Sequence, residues 1–258
     1  LVTPVLNSEA FVEQTILSII NQDYKNIEYI IIDGGSTDGT IDIIKKYADK
    51  IDLWVSEPDK GIYDAQNKGV FMAKGEYFAV LNSGDYYATT DVVSIIASKI
   101  GEHPNIDYVY SNAFFLKETE DNRIVKFESD IRNKYKYNPV PHPTIFSKTE
   151  FFKKSGGFDC SYKVSADYDY LFKLLTNNCL GLKIDAYTVF IRQGGYSYLN
   201  MLSASELLSI QKKYCNNWYP IYFRFFLRVL HFKTLRMLLK IIGKKKFNKI
   251  KQWRYSLD

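Results

Sequence analysis

Residues 27–47 read IEYIIIDGGSTDGTIDIIKKY, and the fold follows from the way this stretch changes period. Ile27–Ile32 is a continuous β-branched run, the pattern of a strand buried on both faces. It ends at Asp33-Gly34-Gly35. A helical pattern then runs from about Thr37 to Tyr47, with Ile41, Ile43 and Ile44 on its apolar side. The alternation repeats on both sides of this stretch. Leu1–Leu6 reads as a buried strand, Asn7-Ser8 as an N-cap, and Phe11, Ile16, Leu17, Ile19 and Ile20 as one helical face. Leu53–Val55 is a short strand, and Ile62–Ala73 a helix broken at Gly75. Tyr77–Leu81 is a further buried strand, running into Asn82-Ser83-Gly84-Asp85. Such alternation predicts an α/β fold: a mostly parallel sheet flanked by helices, with ligands at the carboxyl ends of its strands. From Asp107 to Ser147 the pattern shifts to shorter β elements and loops. Helical pattern resumes at Ala166–Leu175 and near Ser203–Tyr214.

The rest of the chain narrows the class. Its 258 residues suffice for a packed core, and 24% charged residues with no low-complexity tract exclude general disorder. Cys160, Cys179 and Cys215 are odd in number and form no CxxC pair, which argues against a zinc ribbon or a disulfide framework. The three histidines, His103, His142 and His231, form no HExxH motif, and a reducing, cytoplasmic setting is the expectation. From Lys212 onward stand 13 Lys/Arg and one acid, Asp258. The preceding residues hold 21 basic and 28 acidic side chains. A mildly acidic body with a basic tail marks a surface for an anionic partner. No run of about 18 uncharged apolar residues suggests a membrane span. The chain opens on Leu1 with no Met and no basic leader, an opening that reads as a first strand already under way.

Five motifs carry the chemistry. A turn, with Ser36 or Thr37 capping the next helix, accounts for Gly34 to Thr40. It leaves Asp33 at the end of a buried strand, where an unpaired carboxylate is costly and a base N–H or ribose hydroxyl would satisfy it. No GxGxxG follows the first strand, and no Walker A lysine is present. Asn82–Asp85 reads either as an Asx-turn or as a hard-cation site, where one carboxylate suffices if a diphosphate supplies the remaining oxygens. Asp167 and Asp169 open a helix. Such acids usually complement the helix dipole, but one can face a cleft as a general base. Asp64 and Lys68 stand one helical turn apart, as in an ion pair, and His142 lies in the rigid loop Pro141-His142-Pro143.

In order, TPVLN, IIDGGSTDGT, SEPDKGIYDAQNKG, GEYFAVLNSGD, HPTIFSK, GGFD and ADYDYLFKL resemble the inverting nucleotide-sugar glycosyltransferases of family 2, of the bacterial surface-polysaccharide type. The resemblance covers about residues 1–200. It implies a GT-A-like, Rossmann-type catalytic domain with a nucleotide-sugar half over about 1–100 and an acceptor half over about 101–200. Residues 201–258 are then a helical, basic and aromatic extension. It also implies transfer of a sugar from a nucleotide-diphosphate donor, a UDP-sugar by preference, to a glycan or lipid-linked hydroxyl with inversion, assisted by Mn²⁺ or Mg²⁺. By the same resemblance, Thr3, Pro4 and Asp33 line the nucleoside pocket, with Asp64, Lys68, Asn82 and Ser83 near the donor. Asp85 holds the metal, Asp167 is the catalytic base, and His142 lies near the diphosphate or the acceptor. Three positions depart from the family pattern: Gly84 where many members carry a second acid, Gln66 where many carry Arg, and Ala166 in place of the Glu before the base.

The tail interleaves Trp218, Tyr219, Tyr222, Phe223, Phe225, Phe226, Phe232 and Trp253 with Arg and Lys. This composition suits the headgroup region of an anionic membrane, where a polyprenyl-linked acceptor would lie. A helical pair with a solvated basic face has the same pattern. A nucleic-acid surface is not expected, because no recognition fold accompanies the charge. Two other functions share the architecture: a sugar nucleotidyltransferase, whose Gly-rich basic loop is replaced here by Asn7-Ser8-Glu9, and a catalytically silent sugar-nucleotide binder.

Overall fold

A computed structural model describes residues 1–117, 123–133, 139–192 and 201–214. The chain divides into two compact units, 1–198 and 199–258. In the first, β1 (Val2–Val5), β2 (Ile30–Asp33) and β3 (Leu53–Ser56) form a parallel sheet in that order. They alternate with α1 (Val12–Ile20), α2 (Thr40–Lys46) and α3 (Ile62–Met72). The isoleucine run explains the layering. Ile30 and Ile32 pack on one side of the sheet with Val2, Tyr63 and Val70, while Ile31 packs on the other with Val12, Ile16 and Ile44. Each fully buried aliphatic side chain contributes about 1.5–3 kcal/mol.

A second sheet has the order β4-β8-β6-β9-β5, with β7 paired to β6. Its strands are β4 (Tyr77–Phe78), β5 (Tyr86–Tyr87), β6 (Tyr108–Lys117), β7 (Arg123–Phe127), β8 (Ile145–Lys148) and β9 (Gly181–Arg192). It is mixed: β6 and β9 run parallel, and the other pairs are antiparallel. The helices α4 (Val92–Glu102), α5 (Thr149–Lys154) and α6 (Ala166–Thr176) complete the unit. The two sheets meet at residues 77–81. Phe78 pairs with Ser147 of β8; just beyond it, the Val2 N–H reaches the Ala79 carbonyl at 3.0 Å and the Leu81 N–H the Val2 carbonyl at 2.9 Å. The expected strand Tyr77–Leu81 thus serves both ladders.

Element ends differ from the sequence reading for local reasons. β2 starts at Ile30 because Val2 and Leu53, its partners on either side, start there. α1 starts at Val12 rather than after Asn7-Ser8. The Ser8 carbonyl takes the Phe11 and Val12 N–H groups in a turn, and no side chain caps the helix. α2 starts at Thr40 behind Gly39, since Ser36 is committed to Asp33. The sequence reading leaves β9 and α5 unassigned. β9 loses its alternation after Ala186, and its register against β6 shifts between Ser111 and Ala113. In the second unit the described element is α7 (Met201–Tyr214). The basic, aromatic stretch 215–258 and the join at 193–200 lie outside the described residues. Among the described residues, no helix is long and apolar enough to cross a membrane.

Candidate active site

The carboxyl ends of β1, β2 and β3 align at Val5, Asp33 and Ser56. Asp33 is fully buried, and its partners are local. Oδ2 accepts the N–H groups of Gly35 and Ser36, both at 3.0 Å, and the Ser56 hydroxyl at 2.7 Å; Oδ1 accepts the Ser36 hydroxyl. Contrary to the expectation from sequence, the buried carboxylate needs no ligand to satisfy it, because the turn and the adjacent strand already do so. Thr3 and Pro4 lie below the strand end and are buried. The Thr3 hydroxyl oxygen accepts from the Tyr29 hydroxyl at 3.2 Å inside the core. Lys68 lies between two acids, 2.9 Å from Glu57 and 3.5 Å from Asp64. Asp64 also accepts the Lys60 N–H at 3.0 Å.

The turn after residue 81 is built around Gly84, whose φ is +100°. The Gly84 N–H donates to the Thr15 hydroxyl oxygen at 3.0 Å, and that hydroxyl donates to the Asp85 carbonyl at 2.8 Å. The Ser83 hydroxyl meets that of Ser8. A second acid at position 84 would hold its Cβ in the left-handed region, so the glycine there has a backbone reason. Asp85 is 6% exposed, and its Oδ1 accepts the Arg192 N–H at 3.0 Å. Burial pushes its carboxyl up to about 7, against the pull of that N–H, of His142 and of the Arg192 charge. The Arg192 guanidinium lies 4.5 Å from the centre of the Phe11 ring.

Asp167 sits in the first turn of α6, with its side chain 18% exposed. Its Oδ1 accepts the Tyr63 hydroxyl at 3.0 Å, and its Oδ2 is 3.3 Å from His142 Nδ1. His142 Nε2 is 3.2 Å from Asn82 Nδ2, and Asn82 Oδ1 accepts Gln66 Nε2 at 2.9 Å. One hydrogen-bonded chain thus runs Gln66–Asn82–His142–Asp167–Tyr63. It joins the turn that carries Asp85 to the start of α6. Asp169 is fully buried instead, with its Oδ2 3.7 Å from Lys173 Nζ. Burial, then the charge of Asp167, raises the Tyr63 hydroxyl well above the usual tyrosine range, so it remains a donor.

Of the residues named from sequence, the structure brings Asn82, His142 and Asp167 into direct contact, with Asp85 three residues beyond Asn82. Thr3 and Pro4 are not in this group. Tyr63 and Arg192 were missed: Tyr63 gives no signal beyond a buried aromatic on α3, and Arg192 closes a strand that went unassigned. For a divalent cation the donor set is small. Asp85 offers one carboxylate, and among the described residues no three His, Cys, Asp or Glu side chains gather. One buried carboxylate, raised by its loss of solvation, fits a cation whose other ligands come from a diphosphate.

The family model described as "Glycosyl transferase family 2" matches residues 1–157. The chain belongs to glycosyl transferase family 2. This family 2 glycosyltransferase is 31% identical over 183 residues to PGL/p-HBAD biosynthesis glycosyltransferases of Mycobacterium bovis and Mycobacterium tuberculosis, a match covering 70% of each chain. It is 42% identical over 91 residues to an uncharacterized glycosyltransferase of Haemophilus influenzae, 34% of this chain and 36% of that one. Among solved structures it is similar to S. aureus TarS 1–349 in complex with UDP-GlcNAc, with TM-score 0.68 and 20% identity over 82% of this chain and 64% of that one. A mannosyltransferase of Pyrobaculum calidifontis in complex with GDP-Man and Mn²⁺ matches with TM-score 0.64 and 16% identity, over 99% of this chain and 79% of that one. The fold is that of the GT-A glycosyltransferases, as expected from the motif order.

Proposed function

We propose that this glycosyltransferase moves a sugar from a nucleotide-diphosphate donor to an acceptor hydroxyl in a single inverting displacement, with Asp167 as general base. The observation that carries the reading is the convergence on His142: Asn82, from the turn ending in Asp85, and Asp167, from the start of α6, both bond to its ring. The acceptor oxygen forms a bond to the anomeric carbon as the bond to the diphosphate oxygen breaks. The acceptor proton passes to Asp167, and the bonding pair leaves with the nucleoside diphosphate. A base at this point contributes about 10²–10⁴-fold. Asp85 would hold the divalent cation, which when bound supplies positive charge against the departing diphosphate. Asp33 and Ser56 form the floor beneath the nucleoside; Asp64, Lys68 and Ser83 border the donor. The donors named in the two solved neighbours, UDP-GlcNAc and GDP-Man, support a nucleotide sugar; the preference for UDP comes from the motif resemblance.

Nucleotide release from a panel of UDP-, GDP- and dTDP-sugars, with and without Mn²⁺, tests this reading. Turnover is expected for one donor, lost in Asp167→Asn with donor affinity retained. Full activity in that variant removes Asp167 from the role. The extension after Tyr214 is proposed as a peripheral membrane contact for a lipid-linked acceptor.

A further inference from the structure

We infer that His142 is a positioning residue: through its Nδ1–H it fixes the base Asp167, and Asn82 sets the tautomer that makes this possible. The inference deepens the assignment of Asp167 and rests on it. As a base, Asp167 carries only acceptors, so the nitrogen 3.3 Å from Oδ2 must bear the hydrogen, and that nitrogen is Nδ1. In the neutral ring Nε2 is then an acceptor and needs a donor. Asn82 offers Nδ2 at 3.2 Å, because its own Oδ1 is taken by Gln66 Nε2 at 2.9 Å. Gln66 is fully buried, and its Nε2 faces Asn82 Oδ1, which leaves Nδ2 as the Asn82 atom turned to the ring. The other carboxylate oxygen is held independently by Tyr63 at 3.0 Å.

His142 therefore has neither nitrogen left for a phosphate. Its ring bridges the cation-motif turn and the base, with its side chain 20% exposed. The role of Gln66 follows as well. Its Nε2 bonds to Asn82 Oδ1 and so sets the direction of the chain.

The substitutions separate the two ring nitrogens. Asparagine at 142 places its amide nitrogen where Nδ1 stood, whereas glutamine reaches the Nε2 position. Nucleotide release is measured on the full-length protein with Mn²⁺ and whichever of UDP-GlcNAc or GDP-Man turns over faster. His142→Gln and His142→Ala should lower kcat about 10²-fold, the cost of misplacing a reacting group by about 1 Å, with donor KM within about twofold. His142→Asn should recover to within about tenfold of wild type. Equal activity in the Asn and Gln variants, or a loss confined to KM, would overturn the proposal. If Asp167→Asn is inactive while His142→Gln behaves as wild type, the positioning role fails and the base assignment stands. If Asp167→Asn is active, the base assignment itself fails. A second readout needs no turnover. Nitrogen-15 NMR of histidine-labelled protein at pH 8, with His142→Asn identifying the resonance, should show the proton on Nδ1. A proton on Nε2, or an unbiased mixture, refutes the inference.

Discussion

Asp85 and Asp167 are two carboxylates of similar sequence context with opposite surroundings. Asp167 accepts the Tyr63 hydroxyl and lies 3.3 Å from His142 Nδ1. Asp85 has lost most of its water, and one backbone N–H does not replace it. Its carboxyl, raised to about 7, makes the folded protein prefer the protonated form. That stabilisation is complete below the unfolded value near 4 and is lost as pH rises through about 7. In chelator, the thermal midpoint should fall between about pH 5 and pH 8, and Asp85→Asn should flatten the dependence. Gly84 gives a second test at this scale. With φ at +100°, Gly84→Ala should cost about 1–2 kcal/mol, read as a lower denaturant midpoint with an unchanged m-value. Adding the family's second acid by Gly84→Asp should likewise lower stability without tightening Mn²⁺ binding.

α3 does more for the site than any other element. Its buried face places Tyr63 against Asp167 and Gln66 against Asn82. One turn on, Asn67 clamps the backbone of Phe158, accepting its N–H at 2.8 Å and donating to its carbonyl at 2.9 Å. The helix sits close enough to β1 that a Cβ on Gly69 would stand 2.3 Å from Val2 Cγ1. Gly69→Ala should therefore push α3 off the sheet. The expected cost is about 1–3 kcal/mol in unfolding measurements, with a loss of turnover exceeding the loss of folded protein. This explains what could be read in advance. The helix itself, and the strands it covers, were legible because their apolar periods differ. That Tyr63 and Gln66 would reach residues on other elements was not, since nothing local distinguishes a buried aromatic that donates to a carboxylate from one that fills space. Asp33 misled for the converse reason: its partners Gly35 and Ser36 are its own neighbours, and Ser56 arrives from the next strand.

For the whole molecule, two sheets of different character share residues 77–81. The parallel one was plain from its isoleucine run. The mixed one was only half visible, because β9, beside the central strand β6, loses its alternation after Ala186 and slips register against β6. The charge division of the chain poses a separate test, since the basic aromatic extension is the proposed membrane contact. Flotation with anionic liposomes should fall when Lys244, Lys245 and Lys246 are replaced by Gln in the full-length protein, and unchanged flotation would remove that role.

The shared segment also bears on cooperativity. Because Val2 is bonded to both Ala79 and Leu81 while Phe78 is paired to β8, neither ladder can open without freeing the other. The amide hydrogens of Val2 and Leu81 should be among the last to exchange with deuterium, opening only with global unfolding. Heat should accordingly melt residues 1–192 in a single calorimetric transition. Donor side and acceptor side would then keep a constant spacing through each turnover, leaving loops to admit and release the substrates.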